Sequence, residues 1–273
     1  MPVELPRERL RSILPLFAGK GTHRIAQAGC LGLVDCRAFV DAPDSPSSAL
    51  LILERFGIGF AAGNAAHAAS LLECLRGWHS WYEISDPPPA WHPALAGWTK
   101  ASFATTRYAF ADCPDAIPAD RLRALAVPPE GFTLRRYDEQ LIRQALSAEW
   151  SEDQLGTFLS ADAFLRDGVG VALLREGALV AGCTSFCRLP GGFEVQVDTH
   201  PEYRKRGLAT CVSAAFILDV MEMGLIPYWD AANRSSLRLA ERLGYVFQSV
   251  YPAWMLVSPE TTPEDAAARA IGV

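Results

Sequence analysis

The amino-acid sequence predicts a mixed α/β (α+β) protein in two parts, and three observations carry that prediction. Short β-type runs alternate with amphipathic segments along the 273 residues, as in chains that pack helices on sheets. Prolines gather at Pro114, Pro118, Pro128 and Pro129, just ahead of Gly131, where a linker is expected. The stretch "VQVDTHPEYRKRGLATCVSAAFILDVMEMG", Val195 to Gly224, runs from an apolar strand through three adjacent cations into an apolar helix. The expected division is a mixed α/β domain over residues 1–128 and a second domain, carrying the chemistry, over 129–273.

Each element has its local reason. Residues 7–17 and 22–32 carry weak helical patterning, after which "VDCRAFVD" and "ALLILERFGIGFAAG" read as strands. "AAHAASLLECLRG" reads as a helix and "SWYEIS" as a strand, followed by the loop "DPPPAWHP" and the strand "SFATTRYAF". Beyond the prolines come the strand "GFTLRRYD", helical patterning over 138–166, and "GVGVALLREGALVAGCTSFCRL", a hairpin turning at Glu176 and Gly177. The strand "FEVQVDTH" leads into the cationic stretch. No internal repeat or low-complexity tract is visible.

The segment "GIGFAAG" supports two readings. It follows an apolar strand, precedes a helix and lies about twenty residues before Glu83, as a dinucleotide-binding turn would. Its spacing gives GxGxxA with Ala62, and Gly63 falls one place late. The alternation of Ile58, Phe60 and Ala62 favours a hairpin turning near Gly57.

Composition narrows the function classes. Half of the residues are hydrophobic and the formal net charge is −6, so the chain can bury sizeable cores but lacks the broad basic surface that nucleic acid demands. No nucleic-acid partner is expected. Seven cysteines, Cys30, Cys36, Cys74, Cys113, Cys183, Cys187 and Cys211, form no CxxC pair and read as buried reduced thiols. Cys183 and Cys187 are expected to share a strand face, but two thiols do not make a zinc site, and no metal is expected. The N-terminal residues are charged from Glu4 onward and no run reaches the ~18 apolar residues of a membrane span. A cytoplasmic protein without a membrane partner is the expectation.

The cationic stretch has a physical meaning. A helix N-terminus leaves backbone N–H groups unpaired and carries partial positive charge, so it receives an anion such as a pyrophosphate. Gly207 and the small Ala209 let that anion approach the backbone in Arg204-x-x-Gly207-x-Ala209, while Lys205 and Arg206 add charge. Ala209, Val212, Phe216, Val220 and Met223 then recur at spacings of three or four, one apolar stripe for a sheet.

This pattern, (Q/R)xxGx(G/A) after a strand, resembles the acetyl-CoA motif of the GCN5-related N-acetyltransferase (GNAT) superfamily. "WDAANRSSLRLAERLGYVF" agrees with it: the family's fifth strand is followed by an Asn, a helix and a Gly-aromatic pair, here Asn233, Ser235 to Leu243, and Gly244-Tyr245. The match covers roughly residues 131–256. The two-part layout is similar to the bacterial subgroup that includes zwittermicin A resistance acetyltransferases. The resemblance implies a splayed mixed sheet flanked by helices, and transfer of an acetyl group from acetyl-CoA to a primary amine of a small molecule by direct attack in a ternary complex. The backbone around Val195 to Val197 would pair with the pantetheine arm, and the amides of Lys205, Arg206, Gly207, Leu208, Ala209 and Thr210 would hold the pyrophosphate beside Arg204. Asn233 would contact the pantetheine or order the thioester, or serve as a helix N-cap.

Amine acylation needs a base, an oxyanion donor and an acid. Glu194 occupies the strand position where many members of the family place a carboxylate base, and it is otherwise an ordinary polar strand residue. Asp198 and His200 share its face by alternation and are further candidates. A strand N–H near Val197 is the oxyanion donor the resemblance implies. Many members have a Tyr seven residues after the Asn; here that position is Ala240, which leaves Ser235, Ser236 or Tyr228 as substitute acids. Glu194, Asp198 and Ser236 are the catalytic expectation. Trp150, Tyr228 and Trp229 are expected as apolar walls, with Glu194, Asp198 and Asp230 attracting a cationic amine between the two halves. The alternatives are acetylation of a protein or peptide, and a non-catalytic CoA-binding sensor or interaction module. A homodimer is compatible with the family.

Overall fold

The computed structural model describes residues 1–112 and 117–258. Cys113, Pro114 and the last fifteen positions of the expected second domain lie outside the described residues. The chain forms two compact units. The first comprises residues 1–109 together with the chain from Ser249 onward, and the second comprises Phe110–Gln248.

In the first unit, β1 (Val3–Glu4), α1 (Leu14–Phe17), α2 (Arg24–Cys30), β2 (Arg37–Val40), β3 (Ser48–Leu53), β4 (Ile58–Gly63), α3 (Ala68–Glu73), β5 (Trp81–Ser85), α4 (His92–Ala96) and β6 (Phe103–Phe110) follow in order. The weakly patterned 7–17 is mostly 3₁₀ (Arg7–Ile13) before one turn of α1. β3 and β4 form an antiparallel pair from Ser48↔Gly63 to Leu53↔Ile58, and Gly57 turns in the left-handed region with φ 61°. "GIGFAAG" is therefore the return strand of a hairpin, and the dinucleotide reading is set aside. β5 pairs in parallel with β4 and in antiparallel with β13 (Phe247–Val257), matching Ala253↔Ser85 to Val257↔Trp81.

In the second unit, α5 (Ala119–Leu125), β7 (Phe132–Arg136), α6 (Glu139–Leu146), α7 (Ala161–Asp167), β8 (Gly170–Arg175), β9 (Ala178–Leu189), β10 (Gly192–Thr199), α8 (Leu208–Glu222), β11 (Ile226–Tyr228), β12 (Asp230–Ala231) and α9 (Arg234–Leu243) precede β13. The sheet order is β11-β10-β9-β8-β7. Glu176 (φ 52°) and Gly177 (φ 84°) make the expected turn between β8 and β9. The helical run expected over 138–166 is broken into α6, a 3₁₀ segment Glu149–Leu155, and α7. Gly156, at φ 52°, causes one break, because a side chain there would run into the backbone of Phe186.

Two sequence expectations differ from the structure. The proline cluster does not separate the units: Pro118 is the N-cap of α5, α5 packs on α8, and the second unit already begins at Phe110. Proline is tolerated where a helix begins because the missing N–H has no intrahelical partner there. The last strand also leaves the second unit, since β13 from Ser249 belongs to the first. The apolar stripe of α8 holds at Val212, Phe216 and Val220, all fully buried, but Met223 is 55% exposed because the helix ends at Glu222.

Gly192 allows the closest approach in the second sheet: a Cβ there would run into the carbonyl of Ile226. Gly192→Ala should therefore lower the urea midpoint by the equivalent of about 1–3 kcal/mol, the ordinary cost of overpacking.

Candidate functional site

The site begins where two strands part. β10 and β11 run in parallel for three residue pairs, Gly192↔Ile226, Phe193↔Pro227 and Glu194↔Tyr228, and there the pairing ends. β10 continues on β9 as far as Thr199↔Ala181. At the same point a register shift falls between Glu194 and Val195, where β9 places the extra residue Phe186. A bulge of this kind bends and twists the strand locally. Val195 and Val197 lie on the segment beyond the fork, both half-buried.

The chain then turns into α8. Lys205 (φ 63°) and Gly207 (φ 77°) both adopt the left-handed region, unusual for a lysine. Gly207 is the N-cap, its carbonyl accepting from the Cys211 amide at 3.2 Å. By helix geometry the amides of Leu208, Ala209 and Thr210 have no intrahelical acceptor. A Cβ on Gly207 would meet no atom within 4 Å, so the space in front of this turn is open. Arg204 Nε donates to the Thr199 carbonyl at 3.2 Å, which ties the loop to the end of β10. The Arg206 guanidinium lies 5.1 Å from the centre of the Tyr203 ring. Arg204, Lys205 and Arg206 are all exposed.

Along β10, Glu194, Gln196 and Asp198 alternate onto one face. Glu194, the last residue paired before the fork, is buried at 7% exposure. Gln196 Nε2 donates to Asp198 Oδ2 at 3.0 Å. Burial pushes the Asp198 carboxyl up to about 6, and nearby Asp153 pushes the same way; the hydrogen bond from Gln196 and the charge of Arg204 oppose the rise. Gln154, fully buried, accepts from the Tyr137 hydroxyl. Both groups fit because the residue opposite Asp198 is Gly182, whose Cβ would collide with them. Gln196, Gln154 and Tyr137 were not expected from sequence. Their only trace is a glycine inside a strand, a sign of close approach.

On the other side of the fork, Asn233 caps α9, its Oδ1 accepting from the Ser236 amide at 2.9 Å. The cap reading of Asn233 thus holds. Ser236 Oγ accepts from Trp229 Nε1 at 3.1 Å. A hydroxyl has one donor, so the Ser236 proton points elsewhere. Ala240 lies one turn on, fully buried.

The expected aromatic walls do not assemble. Trp150 packs edge-on against His200, which in turn packs against Tyr203, at 5.5 and 5.6 Å. Tyr228 and Trp229 instead line a small cleft with Phe110, Ile117 and Tyr245, and the Trp229 and Tyr245 rings lie 5.4 Å apart. Nor do Cys183 and Cys187 follow simple alternation, because the register shift lies between them: Cys183 pairs with Val197 and Cys187 with Glu194. Burial raises both thiols well above the ordinary range, which makes them unreactive. Among the described residues no cluster of His, Cys, Asp or Glu could hold a metal ion, and no helix is long and apolar enough to cross a membrane.

The forked sheet, with the left-handed turn into α8 at the end of one prong, has counterparts among known proteins. The GNAT acetyltransferase family pattern matches residues 15–254; the chain belongs to that family. It is 36% identical over 121 residues to an uncharacterized N-acetyltransferase, YdfB, of Bacillus subtilis, an alignment spanning 43% of this chain and 45% of that relative. A crystal structure of a GCN5-related N-acetyltransferase-like protein from Streptococcus suis is similar over 90% of this chain and 98% of its own, with TM-score 0.81 and 32% identity. The fold recurs in a GCN5-related N-acetyltransferase from Kribbella flavida, with TM-score 0.60 and 19% identity over 91% of this chain and 99% of that one.

The raised Asp198 carboxyl has a consequence for stability. A carboxyl with a folded-state value near 6 against an ordinary 3.8 keeps its proton on folding at low pH, so native stability falls as pH rises from about 4 through 6. Asp198→Asn removes that penalty. The variant should melt several degrees above wild type at pH 8, with the gap shrinking toward zero below pH 4 in calorimetric scans.

Proposed function

We propose that the second unit transfers an acetyl group from acetyl-CoA to the primary amine of a small molecule by direct attack in a ternary complex. The carrying observation is the fork: β10 leaves β11 after Glu194↔Tyr228 and leads, within one loop, to the left-handed turn at Lys205 and Gly207 ahead of α8. Acetyl-CoA fits this chain's groups. The β10 edge at Val195 to Val197 offers backbone partners to the amide-bearing arm, and the amides from Lys205 to Thr210, with the neighbouring cations, suit a pyrophosphate. Gly207 keeps the approach clear. When bound, acetyl-CoA supplies the acyl carbon and a thiolate leaving group.

The remaining steps fall to side chains. Glu194, at the fork, takes the proton from the amine, directly or through water. A backbone N–H beyond the fork, near Val197, donates to the developing oxyanion. Ser236, whose hydroxyl proton is directed away from Trp229, passes that proton to the thiolate and takes one back from water. Asp198 is the alternative base. It lies four residues further along β10, roughly 13 Å at a strand's rise. A CoA-binding module without catalysis is the second reading, favoured by Ala240, which carries no hydroxyl; product formation separates the two.

Two measurements test the assignment. Gly207→Glu should abolish CoA binding in calorimetry while circular dichroism stays native; undiminished affinity would place the phosphates elsewhere. Glu194→Gln should retain CoA affinity yet lower turnover by roughly 10²-fold at pH 7, recovering in part at higher pH as free amine accumulates. If Asp198 is the base instead, Asp198→Asn will show that loss and remove an ascending limb near pH 6. An amine panel screened by mass spectrometry identifies the acceptor.

A further inference from the structure

The first unit follows the same chain path as the second. β3-β4-α3-β5-α4 and β9-β10-α8-β11-α9 share one order of strands and helices, the second with the two-residue β12 added between β11 and α9. In both, the first two strands are antiparallel. In both, the second strand pairs in parallel with the third over three residues: Ile58–Phe60 with Glu83–Ser85 in the first unit, Gly192–Glu194 with Ile226–Tyr228 in the second. In both, that second strand then runs on past the end of the pairing, to Gly63 or to Thr199. No repeat is visible in the sequence.

The two forks differ in every feature that would receive a cofactor. The last paired residue, Glu194 in the second unit, is Phe60 in the first, 2% exposed. The residues between Thr199 and α8 include three cations; between Gly63 and the 3₁₀ turn at Ala65 stands Asn64 alone, whose side chain itself accepts from the Ala66 amide. A Cβ on Gly63 would run into the Ser47 carbonyl, so the end of this strand is packed tightly where Gly207 stands clear. Most directly, Trp91, fully buried just past β5, packs in one core cluster with Ala61 and donates its indole N–H to the Gly63 carbonyl at 3.1 Å. It takes the strand-edge acceptor that a pantetheine amide would use.

We infer that the first unit is a second copy of the transferase fold whose cofactor groove is closed by Trp91, so that the chain takes one acetyl-CoA, in the second unit alone. The inference rests on the cofactor reading of the second unit for its stoichiometry, and on Trp91 by itself for the closure. Equilibrium dialysis of the full chain with CoA should give one site, and none in Gly207→Glu. Hydrogen exchange with saturating CoA should show protection at 195–210 and no change at 58–66. Two sites, residual binding in Gly207→Glu, or protection at 58–66 would overturn it. The closure has its own test without ligand: in Trp91→Ala, amides of Ala61 to Asn64 should exchange at least tenfold faster, and unchanged exchange there would refute the plug. Should that variant not fold, Trp91→Phe, which keeps an aromatic six-membered ring but loses the pyrrole ring with its N–H, should show a smaller acceleration confined to the same residues. Absence of CoA binding in wild type would refute the cofactor reading, and the Trp91 exchange data would still decide the closure.

Discussion

The second unit depends on one departure: β10 keeps β9 and loses β11 after Glu194. Inside a sheet each strand saturates both edges of its neighbour, so a binding edge can exist only where a strand is withdrawn. The withdrawal is held from three sides. Gly192 lets the two strands start in close contact, the extra residue Phe186 in β9 shifts the register at the parting point, and α8, packed on β8, β9 and β10, supports the strands beneath. Nine of the fifteen residues of α8 are buried, more than an amphipathic stripe requires, because α5 and α9 also pack on it. A helix clamped in this way fixes its N-terminus, and with it the distance between the turn at Lys205 and Gly207 and the fork.

Much of this was legible in the sequence, and the reasons are local. The turn at Glu176 and Gly177, the hairpin near Gly57 and the glycine before α8 each answer to the backbone conformation of one or two residues. The cationic turn was visible because anion binding at a helix start needs adjacent cations and a glycine. The splayed sheet was expected from the family resemblance and not from any one residue, since a register shift between β9 and β10 falls at the parting point and no single residue announces it. The domain boundary was misplaced for a related reason. Prolines at 118, 128 and 129 punctuate a helix as readily as they mark a linker, and which they do depends on whether the intervening residues find a surface to bury against. α5 finds α8.

The polar network around Asp198 was equally silent. Tyr137, Gln154, Gly182 and Asp198 come from four separate segments, and only the pairing Asp198↔Gly182 brings a missing side chain to the place where a buried amide must fit. The result is a carboxyl held in low dielectric, yet supplied with a donor from Gln196. Burial alone would drive such a group neutral, and donors alone would keep it ionised. With both acting, it titrates near 6, where a small change in neighbouring charge alters its protonation.

Ala240 shows how a missing group constrains the rest. Asn233 caps α9, so the helix phase is set, and position 240 points into the core, fully buried. Alanine there offers no hydroxyl to the fork. Ser236 lies four residues earlier, on the same helix face, one turn closer to the N-terminus. There the helix dipole favours a developing oxyanion, which makes a hydroxyl a better proton donor than it would be in mid-helix. The indole of Trp229 occupies one acceptor position of Ser236 Oγ and fixes the direction left for the proton. Loss of the hydroxyl at one turn is thus compatible with transfer if the turn before it carries an oriented one, and the acid is then a residue held by an aromatic neighbour rather than one projecting freely.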